Sequence, residues 1–113
     1  VEITFLYFED CPSHTEALAR LRQAVAAEGC AADIEVIKVE SEADAERYQF
    51  AGSPTIRVAG QDIAPIPPDT RYALGCRAYR HPDGRITPLP PLELIQRALR
   101  TAQQVYPDAE ALG

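Results

Sequence analysis

The chain has 113 residues, room for one compact domain, and its composition, 46% hydrophobic and 25% charged, is that of an ordinary globular protein. Eleven basic against 17 acidic residues leave a formal net charge of −6, which argues against nucleic acid or an anionic membrane surface as partner, since both require a basic footprint. No apolar run approaches the roughly 20 residues that span a bilayer, and the N-terminus lacks the basic and apolar regions of a signal peptide, so a cytoplasmic protein is expected.

Residues 3–8 form a short, nearly continuous apolar run, which predicts a strand buried on both faces. Glu9 and Asp10 close it, and Cys11-Pro12-Ser13-His14 open a helix, with Pro12 suited to a first helical position. Ala17, Leu18, Leu21, Ala24 and Val25 recur at helical spacing and Gly29 supplies a C-terminal stop. Ile34, Val36, Ile37 and Val39 mark a second strand. Ser41 with Asp44 three residues on resembles a capping box and starts a short helix from Glu42 to about Tyr48. Gly52-Ser53-Pro54 then turns into a third strand, with Pro54 at its beginning because proline cannot donate to a ladder.

Seven of the ten prolines fall between Pro65 and Pro91. Residues 64–74 are read as an ordered surface excursion without regular structure. Residues 76–80 and 85–87 flank His81-Pro82-Asp83-Gly84, a hairpin signal. Leu92, Ile95, Ala98, Leu99 and Ala102 mark a final helix started by Pro91. Residues 1–106 form one domain and 107–113 a flexible tail. The order β-α-β-α-β, loop, hairpin, α implies an α/β fold with a mixed central sheet flanked by helices.

A buried strand ending in Cys-Pro-x-His, followed some forty residues later by Gly-Ser-Pro-Thr-Ile, resembles the thioredoxin superfamily. The resemblance implies a thioredoxin-like three-layer sandwich, with Cys11 as the nucleophilic cysteine and Pro54 as a cis-proline lying against it. Pro12, Ser13, Ser53 and Asp10 then line the substrate cleft. The chain departs from the Cys-x-x-Cys pattern: His14 stands where the second cysteine would be, so two-cysteine exchange within that motif is excluded. The Cys-Pro-Ser-His start with a later Gly75-Cys76-Arg77 is also similar to small proteins labelled alkylmercury lyase-like. True organomercurial lyases pair two distant cysteines with an aspartate near the first. Here Asp10 adjoins Cys11 instead, and the chain is much shorter.

Cys11, Cys30 and Cys76 are an odd number, which excludes a fully paired disulfide framework. At a helix N-terminus, unpaired N–H groups and the helix dipole favour thiolate, whereas Glu9 and Asp10 oppose it. The expectation is a Cys11 pKa below the ordinary value of about 8.5, with His14 one helical turn away as base or positive charge. Cys76 decides the mechanism. If the excursion returns to the helix start, Cys76 is a remote resolving thiol; if it ends at the other sheet edge, the pair is too far apart to bond. Cys30 is read as inert and His81 as solvated, while Arg57 and Arg77 could border the cleft and favour an anionic thiol.

The leading function is thiol/disulfide chemistry through Cys11, His14 and Cys76 on a small thiol or protein disulfide, with no cofactor. The alternatives are soft-metal or organomercurial handling by Cys11 and Cys76, and a non-catalytic interaction domain. Phosphate-loop, Ser-His-Asp and zinc-protease motifs are missing. Oligomeric state is not legible.

Overall fold

The computed structural model describes residues 1–64 and 66–105, so the tail expected over 107–113 lies outside the described residues. The chain runs β1 (Glu2–Tyr7), α1 (His14–Glu28), β2 (Asp33–Lys38), α2 (Glu42–Arg47), β3 (Thr55–Val58), β4 (Gln61–Asp62), β5 (Tyr79–Arg80), β6 (Ile86–Thr87) and α3 (Leu92–Val105). The first four strands make one mixed sheet in the order β2-β1-β3-β4. β1 is parallel to β2, with Phe5 opposite Val36, and antiparallel to β3, with Phe5 opposite Ile56. Its central position explains why its sequence is apolar on both faces.

The side-chain alternation of β1 divides the core. Ile3 and Phe5 join Ile56 and Val58 of β3, Ala17, Leu21 and Ala24 of α1, and Ile95, Leu99 and Ala102 of α3. Leu6 belongs to a second, smaller cluster with Val39, Ala45 of α2 and Phe50. Arg20 Nη1 donates to the Pro90 carbonyl at 3.0 Å, holding α1 against the entry to α3.

Local signals act as anticipated at several ends. Gly29, at φ 63°, closes α1 with its N–H on the Ala26 carbonyl, while Cys30 N–H reaches Val25, the paired bonds of a Schellman end. Ser41 Oγ accepts the Asp44 N–H at 3.1 Å and caps α2. Two expectations need correction. The chain forms an additional two-residue polar strand, β4, and the hairpin β5–β6 is a separate two-stranded sheet, not an extension of the main one. The helix at the cysteine motif begins at His14 with Ser13 as its N-cap, so Pro12 precedes it instead of occupying its first turn.

Candidate functional site

β1 ends at Tyr7, and a tight turn follows in which Cys11 N–H donates to the Phe8 carbonyl at 3.0 Å. The turn sets Cys11 two residues ahead of the α1 cap and directs its side chain inward, where it is fully buried. The thiol is not surrounded by hydrocarbon alone. Its Sγ donates to the Ser53 carbonyl at 3.5 Å.

Ser53 organises this end of the sheet. Its Oγ accepts the Phe8 N–H at 3.0 Å, which pins the end of β1 to the turn before β3. Its own N–H donates to the Gly75 carbonyl at 2.7 Å, and its carbonyl accepts the Arg77 N–H at 2.8 Å. These two bonds form an isolated parallel bridge between Ser53 and Cys76. The Ser53–Pro54 peptide is cis, Pro54 is fully buried, and the Pro54 carbonyl accepts the Tyr79 hydroxyl at 2.6 Å.

The same bridge brings Cys76 back to the first cysteine, which resolves the question left open by the excursion. Ala73 N–H reaches the Phe50 carbonyl and guides the chain home. Hydrogen bonding with Cys11, then burial, then the charge on Cys11 push the Cys76 thiol above its ordinary range. Neither sulfur is in a disulfide, and exposure differs sharply: Cys11 is buried and Cys76 is exposed. Cys76, not Cys11, therefore offers the accessible sulfur.

Other residues make this approach possible: Gly52 and Arg77 stand in the motifs quoted above, whereas Asp62 gives no sign in the sequence. Gly52 sits at φ 127°, and a Cβ there would come within 2.9 Å of Arg77 N and 3.0 Å of Arg77 Cα. Only glycine lets the two backbones lie this close. Arg77 is 8% exposed and pairs with Asp62, 11% exposed, at 2.6 Å, while donating to the Ala64 carbonyl at 3.2 Å. Its guanidinium also lies over the Tyr79 ring at 5.1 Å. The residue after Cys76 is thus anchored to β4, the strand whose polar sequence gave no signal.

Several expected roles are corrected. His14 is not paired with Cys11: its ring stacks on Tyr7 at 4.6 Å, and among the described residues it makes no side-chain hydrogen bond. Asp10 and Pro12, expected to line the cleft, flank Cys11 in the turn and are exposed, and Ser13 is the half-buried N-cap of α1. Arg57 does not border an anion site, because its Nη2 caps the end of α2 at the Tyr48 and Gln49 carbonyls, at 2.6 and 2.9 Å. Arg77 is likewise consumed by Asp62. His81 is not merely solvated, since its Nε2 lies 2.9 Å from Thr87 Oγ1 and 2.8 Å from the Leu89 carbonyl. Cys30 packs against the larger core.

A cavity of about 330 Å³, lined by Val58, Ile63, Leu94 and Ala98, lies between the β3–β4 turn and α3; Asp62 also lines it, but neither Cys11 nor Cys76 does. Among the described residues, no group of three or more His, Cys, Asp or Glu side chains could hold a metal ion, and no helix is long and apolar enough to cross a membrane. Comparison with protein-family models, curated proteins and solved structures found no match to this chain.

Proposed function

We propose that this is a cytoplasmic thioredoxin-like protein, a three-layer sandwich, that exchanges thiols and disulfides through Cys11 and Cys76. One observation carries the reading: Ser53 gathers two cysteines distant in sequence, its carbonyl accepting Cys11 Sγ at 3.5 Å while its main chain is bridged to Cys76. The roles follow from access. Cys76 is the entry sulfur and Cys11 the resolving one, the reverse of the assignment that the motif alone suggested.

Each step balances. The Cys76 proton passes to water, and the Cys76 thiolate attacks a disulfide R–S–S–R′. A Cys76–S–S–R bond forms, the S–R′ bond breaks, and R′S⁻ leaves to take up a proton. Cys11 then gives its own proton to water and, as thiolate, attacks the Cys76 sulfur and expels RS⁻, which is protonated in turn. The protein's two thiols become one disulfide, and the substrate disulfide is reduced to two thiols. The buried setting of Cys11 shields it from outside disulfides and leaves the neighbouring mixed disulfide as its target.

Mild oxidation followed by proteolysis and mass spectrometry tests this reading. A peptide joining Cys11 to Cys76 is expected. Oxidation that yields only Cys76 adducts with external thiols, with Cys11 still reduced, would overturn it.

A second reading draws on the same adjacency. Two neighbouring sulfurs suffice for a two-coordinate soft cation such as Hg²⁺ or Cu⁺. Retention of one Hg²⁺ per chain that needs both cysteines, without turnover of any disulfide, would favour it over the redox proposal.

A further inference from the structure

We infer that Cys76 recognises its partner through its own main chain: the substrate is a cysteine disulfide in an extended peptide, paired backbone to backbone against Cys76. This rests on the reading of Cys76 as the entry sulfur and adds the class of substrate.

The bridge to Ser53 fixes the geometry. In an extended segment, successive N–H and C=O pairs point to opposite edges. Gly75 C=O and Arg77 N–H are directed at Ser53, so the N–H and C=O of Cys76 point to the opposite edge. Among the described residues no protein group pairs with either, and Cys76 is exposed. Ser53, by contrast, is fully buried, with both backbone groups consumed. The only backbone edge this bridge leaves open is therefore the one that carries the reactive sulfur.

An extended chain that adds there in antiparallel sense exchanges both hydrogen bonds with Cys76 through a single residue. Cα atoms in such a pair lie about 5.5 Å apart, inside the roughly 4.4–6.8 Å that a disulfide spans. A cysteine at that position is thus held by two hydrogen bonds where its sulfur can be attacked. The attack is the one already balanced: a Cys76–S–S–R bond forms as the substrate disulfide breaks, and the departing thiolate takes a proton from water.

Two symmetrical disulfides separate backbone recognition from simple sulfur reactivity. One is that of N-acetylcysteine methylamide, which carries both peptide groups; the other has the cysteine nitrogen methylated, which removes its donor. Their rates of mixed-disulfide formation at Cys76 are measured by mass spectrometry in Cys11→Ala, where the adduct is trapped, and normalised to their rates with a free thiol in solution. The unmethylated compound is expected to react about tenfold faster, the effect of about one lost hydrogen bond. The same ratio is expected for the appearance of the Cys11–Cys76 disulfide in the wild-type chain, a readout that does not depend on the folding of the variant. Equal normalised rates in both would overturn the inference and leave the two-cysteine reading standing. Failure of the Cys11–Cys76 disulfide to form with any oxidant would remove that reading instead.

Discussion

The Tyr79 hydroxyl donates a 2.6 Å hydrogen bond to the carbonyl oxygen of Pro54, and the tyrosine is only 2% exposed. The bond ties the strand that follows Cys76 to the turn beneath Cys11. Tyr79→Phe leaves that carbonyl buried without its partner, and a loss of about 1–3 kcal/mol is expected in urea unfolding. An unchanged midpoint would show that the bond adds nothing.

Burial also raises the Tyr79 phenol well above its ordinary value of 10.0. The sign follows from linkage: a folded-state pKa above the unfolded one favours the protonated fold. Its contribution is complete below pH 10.0 and is lost as the pH rises beyond it. Stability should therefore fall above that pH in the wild type and fall less steeply in Tyr79→Phe, as measured by denaturant midpoints across an alkaline series.

Arg77 is buried and Asp62 only 11% exposed, so removing the carboxylate leaves the guanidinium charge with little access to solvent. Asp62→Ala is expected to cost about 3–5 kcal/mol. Replacing both partners with apolar residues should cost less than the sum of the single changes, which a double-mutant cycle would measure. Strict additivity would mean that the pair is not coupled.

The Cys76 thiol is raised first of all by its hydrogen bond with Cys11. Cys11→Ala removes that cause and the associated charge. Cys76 should then ionise at lower pH and be alkylated faster by iodoacetamide at pH 8, because thiolate is the reacting form. A slower or unchanged rate would contradict the contact between the two sulfurs.

Much of the fold is legible because local rules suffice for it. The apolar run of β1, the spacing of α1 and α3, the αL position at Gly29 and the cap at Ser41 each act over a few residues. Two-residue β4 is polar and exists only because β3 turns back on it at Ala59 and Gly60, so no periodicity announces it. The site is half legible for the same reason. Cys11 and Pro54 are visible in their motifs, whereas the return of Cys76 depends on bonds from Phe50 to Ala73 and from Ser53 to Gly75 and Arg77. Spacing within a helix predicts that His14 faces Cys11 one turn on. The helix starts at His14 itself, and the flat ring of Tyr7 offers the better contact.

Closing the disulfide should restrict the unfolded chain over a loop long enough to stabilise the protein by about 4 kcal/mol. Oxidised wild type should unfold at higher urea than reduced wild type, and the difference should vanish in Cys76→Ser.

The pairing of Cys11 with Cys76 is tested most directly by equilibrating the protein with glutathione buffers of stepped potential and quantifying the thiols of both residues after acid quenching. The account predicts that the two thiols disappear together into one intramolecular bond, in a single two-electron transition with a tenfold change in the ratio of oxidised to reduced protein for each step of about 30 mV. Separate transitions at the two residues, with glutathione attached to Cys76 and Cys11 left as a thiol, would contradict it.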